Sequence, residues 1–319
     1  MLRTILCIAM LVTAGSVAAQ TWPARNIQLV VPYAPGGVVD FIGRTLGQRL
    51  STQVGQPVVI DNRPGAGGII GIDYAARSAP DGHTIVVMDP AIVINPSLQD
   101  KVPYDLQRDL QTVSVIGSSP LVLVVNPSIP GSTMAQLVDY ARANPGKLNF
   151  VSAGIGTTPH MAGELLKLRV KADMTHVPYK GSGPAMADLV GGQAQMGFSS
   201  ITAALPFIRD GKLRALATTG AKRSGALADV PTVAEAGYAG AEVDLWLGVF
   251  TPAGVPAAVV ARMNSEIASA LADQAVRAAF AKVGVEPRTT SVEDSNRFVR
   301  AEFDKWAGVV RDAKLKQAK

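Results

Sequence analysis

The sequence predicts two doubly wound α/β lobes joined by a hinge, with a cleft between them. Three observations predict it. Short Val/Ile-rich runs alternate with helical patterns along most of the chain. That alternation breaks twice, near 112–126 and again near 244–251, where apolar segments follow one another without a helix between them. The length of 319 residues also exceeds what one hydrophobic core ordinarily fills.

The elements follow in order. Ile27 to Pro32 reads as a strand and Gly37 to Arg49 as a helix. Pro57 to Asp61 is the next strand, Gly68 to Arg77 the next helix, and the turn Pro80-Asp81-Gly82 leads into a strand over Thr84 to Met88. Continuous apolar runs of this length suit strands buried on both faces, hence a parallel sheet covered by helices. Thr112 to Gly117 and Leu121 to Asn126, separated by Ser118-Ser119-Pro120, read as one crossing from the first lobe to the second. The second lobe then carries helices at Thr133 to Ala143, Thr158 to Arg169 and Gly183 to Gly191. Its strands fall at Leu148 to Ser152, Thr175 to Pro178, Gln195 to Ser199 and Arg214 to Thr219. Asp244 to Thr251 is the return crossing. The tail is helical over Ala257 to Leu271, Gln274 to Val283 and Val292 to Lys316, with Phe298, Phe303, Trp306 and Val310 on one face. The predicted division is residues 20–119 with 249–319 as lobe 1, and 120–248 as lobe 2.

The N-terminus predicts export. Arg3 precedes a continuous apolar run, Ile5 to Val12, and small residues follow through Val17-Ala18-Ala19. This is the order of a secretory signal peptide, residues 1–19, cleaved after Ala19, with Ala18 as the alternative. A retained anchor is the competing reading, but the run is too short to cross a hydrocarbon core of ~30 Å. Cys7, the one cysteine, lies inside this segment. The mature chain therefore offers no disulfide, thiolate metal site or cysteine nucleophile, which suits an oxidising compartment, here the periplasm.

Composition removes other classes. Loss of Arg3 lowers the formal charge of +5 by one, and the remaining Lys and Arg form no basic run that would argue for nucleic acid. His83, His160 and His176 never fall at metal-ligand spacing. No G-x-S-x-G elbow or nucleotide fingerprint is present, so neither an enzyme, a metal site nor a cofactor is expected.

In open α/β sheets ligands sit beyond the carboxyl ends of the strands, which directs attention to three loops. Pro35-Gly36-Gly37-Val38-Val39-Asp40 joins the first strand to the first helix. Its glycines let backbone N–H groups approach a ligand at a helix N-terminus, although a tight turn alone would also call for them. Asp40 reads as a structural partner of Arg44. Ser152-Ala153-Gly154-Ile155-Gly156-Thr157-Thr158-Pro159-His160 repeats the device with hydroxyls added, and His160 is given a packing or hydrogen-bonding role. Tyr179 and Lys180 occupy the third loop, and Asp89 follows the third strand. Asn62 to Gly68 lacks the P-loop ending and is read as a turn at the rim. Charge-assisted hydrogen bonds contribute ~1.5–3 kcal/mol each, and a micromolar site requires ~8 kcal/mol, so roughly three to five such bonds hold an anion without an arginine clamp.

At these loops the sequence resembles the substrate-binding proteins of tripartite tricarboxylate transporters, the Bug family. The segments that carry the resemblance are PYAPGG (32–37), DNRPGAGGIIG (61–71), APDGHT (79–84), HMAGEL (160–165), HVPYKGSGPAMADLVGGQ (176–193) and VPTVAEAG (230–237). The resemblance implies a type II periplasmic-binding fold. It implies capture of a di- or tricarboxylate, an acidic amino acid or an aromatic carboxylate, for delivery to membrane transporter subunits. Presentation to a membrane sensor kinase is the alternative, and a carboxylate-processing enzyme a more remote one. Carried onto this chain, the carboxylate contacts are Gly36, Gly37, Ser152, Ala153, Gly154, Gly156 and Thr157. The chain departs from the family at Val38-Val39, where a hydroxyl residue is common, at Asp89-Pro90, at Ser199-Ser200 and at His83. The expected ligand-binding set is Gly36, Gly37, Val38, Asp89, Ser152, Ala153, Gly154, Gly156, Thr157, Thr158, Tyr179 and Lys180, in a monomer without cofactor.

Overall fold

The computed structural model describes residues 22–179 and 181–315. The expected signal peptide with Cys7, and Lys180, lie outside the described residues. The chain opens with β1 (Ile27–Val31), α1 (Val38–Val54), β2 (Val58–Asn62), a 3-10 turn (Ala66–Gly68), α2 (Ile69–Ala76), β3 (Thr84–Met88), α3 (Ala91–Leu98) and the short α4 (Leu106–Asp109). Next come β4 (Leu110–Val125), α5 (Met134–Ala143), β5 (Leu148–Ser152), α6 (Thr158–Val170), β6 (Met174–Pro178), α7 (Ser182–Val190), β7 (Met196–Ser200), α8 (Ile201–Arg209) and β8 (Arg214–Thr218). β9 (Asp244–Pro252), α9 (Ala257–Ala272), α10 (Gln274–Lys282), β10 (Glu286–Pro287) and α11 (Val292–Asp312) complete it.

Pairing sorts the strands into two sets of the same design. The first runs β2-β1-β3-β9-β4, in which β1, β2 and β3 are parallel and β9 is antiparallel to both β3 and β4. In the second, β5, β6 and β7 are parallel in the order β6-β5-β7, and β4 lies between β7 and β8, antiparallel to both. Apart from the two-residue β10, which pairs antiparallel with β4 in the first set, each set thus receives one reversed strand. β4 serves both, pairing with β9 over Leu110–Pro120 and with β7 over Leu121–Val125.

The two apolar runs around Ser118-Ser119-Pro120 are one continuous strand of 16 residues. Pro120 is tolerated because the strand changes partners there, passing from β9 to β7, so no ladder on both sides requires its missing N–H. α1 runs past the expected Arg49 to Val54 and stops at Gly55, whose φ of 70° gives the left-handed cap that glycine adopts without strain. α5 begins with a capping box, Thr133 and Gln136 exchanging side-chain and backbone bonds. Asp273 separates α9 from α10 by accepting from the N–H groups of Ala275 and Val276 at 2.8 and 3.3 Å.

Of the helices that the sequence pattern does not predict, α3 and α8 each contain an internal proline, Pro96 and Pro206. Pro96 cannot donate to the Ile92 carbonyl one turn back, and the Tyr104 hydroxyl donates to that carbonyl instead, at 3.4 Å.

The core lies on both faces of the sheets. β3 is buried at every position, as a continuous Thr-Ile-Val-Val-Met run under helices on both sides should be. α11 packs back as its apolar spacing predicts. Trp306 is fully buried, and the Trp306 and Trp246 indoles both donate to Glu302 Oε2, at 3.1 and 3.0 Å. Phe298 meets the Trp246 ring edge-on at 5.5 Å. No helix of the described residues is long and apolar enough to cross a membrane.

Candidate functional site: facing helix starts

The strand register places the candidate loops. In the first set β4 runs parallel to β1 and β3, so it leaves that sheet at their carboxyl edge. It enters the second sheet with Leu121 opposite Ser200, the last residue of β7. The carboxyl ends of β5 and β7 therefore face those of β1 and β3 across residues 118–121. The turn before α1 and the turn before α6 both open from these facing edges.

The two sides meet at the rim. A Cβ on Gly156 would lie 2.6 Å from Asn95 Oδ1 and 3.3 Å from Leu98 Cδ2, and one on Gly67 would lie 3.5 Å from the Ile155 carbonyl. Glycine at 156, with φ of 78°, permits a close approach that any side chain would block. The Asn62 to Gly68 turn is thus a rim element, held by Asn95 Nδ2 donating to the Gly67 carbonyl at 3.0 Å.

In the first turn the glycines divide their work. The Gly36 N–H donates to Asp40 Oδ2 at 2.9 Å, so it is already used. Asp40 also accepts from Arg44 at 3.0 Å and from Asn62 Nδ2 at 2.9 Å. Although burial opposes its ionisation, these bonds hold its carboxyl below the usual carboxylate range. Asp40 is a structural partner of Arg44, as expected. Gly37 caps α1 with no side-chain hydrogen bond, so the first amides of that helix, at Val38 and Val39, have no intrahelical partner. Nothing lies within 4 Å of a Cβ built on Gly36 or Gly37, so this helix start faces open space.

The second turn shows the same division. The Gly154 N–H donates to Ser152 Oγ at 3.1 Å and the Gly156 N–H to His160 Nδ1 at 3.2 Å. The Gly36, Gly154 and Gly156 amides are thus all bonded inside the turns. Thr157 Oγ1 donates to the Gly154 carbonyl at 2.7 Å, so Thr157 latches the turn and leaves α6 without a side-chain cap. The Thr158 and His160 amides are then the free donors of the first turn of α6, Pro159 having none. Thr158 Oγ1 and Ser199 Oγ, at the carboxyl edge of the second sheet, and Asn95 Oδ1 at the rim are buried without a hydrogen-bond partner among the described residues. Ser152 and Ala153 shape the turn, the Ala153 carbonyl accepting from the Gly181 N–H at 3.0 Å.

Asp89 follows β3, and its Oδ1 accepts from the Tyr33 hydroxyl at 2.8 Å and the Ala91 N–H at 3.0 Å. Burial pushes its carboxyl up to about 6, against those two bonds. Its side chain thus holds the first amide of α3. The Tyr179 hydroxyl donates to Asp188 Oδ2 at 2.6 Å, within its own side of the molecule. Among the described residues no cluster of His, Cys, Asp and Glu is arranged to hold a metal. Asn95 escapes sequence reasoning along with its helix, and its rim position carries no sequence signal beyond an Asn-Pro pair.

Two sheets of this design, each sending a strand into the other and opening helix starts on a shared gap, define a two-lobe solute-binding receptor. The sequence model of the tripartite tricarboxylate transporter family receptor matches residues 42–315, and the chain belongs to that family, in its Bug branch. It is similar to protein BugT of Bordetella pertussis, with 40% identity over 95% of this chain and 94% of that one. Among solved structures it is similar to R. palustris Rpa4515 with adipate, at 36% identity and TM-score 0.85, covering 92% of this chain and 98% of that one. It is also similar to MatC from Rhodopseudomonas palustris with bound malate, at 32% identity and TM-score 0.81, covering 91% of this chain and all of that one. Members of this family are periplasmic substrate-binding receptors, not enzymes, and this chain is a receptor of that kind.

Proposed function

We propose that this receptor captures a small carboxylate between its lobes and delivers it to the membrane subunits of a tripartite tricarboxylate-type transporter. One observation carries the reading: two uncapped helix starts, of α1 and α6, open from facing sheet edges. Each places the positive end of a helix dipole and unpaired amides toward the same gap. Gly37, Val38, Val39, Thr158 and His160 supply backbone donors, and Thr158 and Ser199 supply hydroxyls. Gly36, Ser152, Ala153, Gly154, Gly156 and Thr157 hold the donors in place. Tyr179 flanks the second turn, Asp89 stands behind the first, and Lys180 is kept from the sequence alone as a further ligand contact. The lobes divide at 119/120 and 248/249, where β4 and β9 cross.

The similar structures hold adipate and malate, so these two acids are the first probes. The family and the N-terminal segment, read as a signal peptide cleaved after Ala19 or Ala18, support a periplasmic location. Titration of the processed monomer by calorimetry tests the reading: micromolar binding of one or more small carboxylates is expected, and absence of binding across a broad carboxylate panel would refute it.

A further inference from the structure

Two histidine side chains beside the second turn supply none of these donors. His160 lies in the first turn of α6 and His176 at the centre of β6. Their rings stack with centroids 4.0 Å apart, and His176 stacks in turn on Phe150 of β5 at 4.9 Å. Each ring holds the 152–157 turn through one nitrogen. His160 Nδ1 accepts the Gly156 N–H at 3.2 Å, which places the His160 proton on Nε2, 4.0 Å from Glu164 Oε1. His176 Nε2 lies 2.7 Å from Ser152 Oγ, and that oxygen accepts the Gly154 N–H. The two turn glycines whose amides are spent internally are therefore both tied, directly or through Ser152, to the ring pair.

We propose that the stacked His160–His176 pair is a positioning element for ligand binding: His160, accepting the Gly156 N–H, and His176, hydrogen-bonded to Ser152 Oγ, fix the Ser152–Thr157 turn in the orientation that presents the α6 amides to the ligand. The inference rests on the carboxylate-binding reading. A proton on His160 Nδ1 turns the acceptor into a donor aimed at another donor, the Gly156 N–H, and puts a charge 4.0 Å from the second ring. The charged groups that face the pair are Glu164 and Lys167 of α6, bonded to each other at 3.1 Å, while β5 contributes the uncharged Phe150 and Ser152. Burial, then Lys167, lowers His160 to about 4. Burial, then His160 and Lys167, lowers His176 to about 3. The rings are thus held neutral across the range in which an ordinary histidine titrates.

Two substitutions separate positioning from packing. His160→Asn keeps an acceptor near the Nδ1 position and removes the ring, whereas His160→Phe keeps the ring stack and removes the acceptor. The experiment compares both with the wild type in calorimetric titrations with adipate and malate, and in amide hydrogen exchange at Gly156 without ligand. The proposal expects binding within about threefold of wild type for the Asn variant and about tenfold or more weaker for Phe, with Gly156 exchange accelerated only in Phe. The reverse order, Phe like wild type and Asn impaired, would make the pair packing alone and overturn the proposal. If the wild type binds neither probe, the exchange measurement still decides: Gly156 protected equally in all three proteins would remove the positioning role, independently of the function reading. A ring-nitrogen NMR titration adds a further check, since His160 protonated at about pH 6 would also contradict the proposal.

Discussion

Asp89 and Gly37 show how single residues divide between holding the fold and, in the proposed function, meeting the ligand. Asp89 is raised to about 6 by burial, above the ~3.9 of an unfolded aspartate. Its folded form keeps its proton where the unfolded form has lost it, so its contribution to stability is present below about pH 4 and is lost as pH rises through 6. Asp89→Asn keeps an acceptor for Tyr33 and Ala91. It should match wild type at about pH 4 and exceed it by ~1–3 kcal/mol at about pH 8, measured by urea unfolding. Gly37 has φ of −80° and open space beyond it, so Gly37→Asp fits without strain and supplies a favourable helix cap. The variant should unfold no more readily than wild type, gaining a few tenths of a kcal/mol, yet bind carboxylates at least ~10-fold more weakly through charge repulsion. Thr157→Val removes the latch on the Gly154 carbonyl and should weaken binding by a similar factor, about tenfold, at small cost to stability.

Among elements, the crossing strands matter most, and one side chain fastens both. Thr219 is fully buried. Its Oγ1 accepts the Leu121 N–H at 2.8 Å and donates to the Val243 carbonyl. Its backbone bonds Leu121 O at 2.9 Å and Val243 N at 3.1 Å. Thr219→Val keeps the shape but leaves Leu121 N–H and Val243 O without that partner, and should cost ~1–3 kcal/mol in a denaturant titration. The first crossing was legible in sequence because Ser118-Ser119-Pro120 leaves no room for a helix between two apolar runs. Strands such as β1, β3 and β4 were legible because burial on both faces forces continuous apolar runs, whereas the two-residue β10 leaves no such run. α3 and α8 were not, since Pro96 and Pro206 interrupt short apolar stretches that only tertiary partners, such as Tyr104 under Ile92, make helical. The glycine turns could be seen, but not that Asp40, Ser152 and His160 already occupy three of their amides. That occupancy depends on how the turn folds back on its helix and strand, which spacing does not encode.

At the scale of the whole molecule, the proposed function couples binding to the approach of the lobes. Gly156 and Asn95 already touch at the rim, so Gly156→Ala, strained at φ of 78° and 2.6 Å from Asn95 Oδ1, should hold the lobes apart. Small-angle scattering with adipate or malate should then show compaction in wild type and less in the variant. A thermal-shift screen of the processed protein over small carboxylates, run in parallel on Gly37→Asp, tests the central claim most directly. The account predicts that at about 100 times its dissociation constant at least one acid stabilises the wild type by ~2.7 kcal/mol, and that the same acid at the same concentration stabilises Gly37→Asp far less. Equal stabilisation of both proteins, or none of the wild type by any carboxylate, would contradict it.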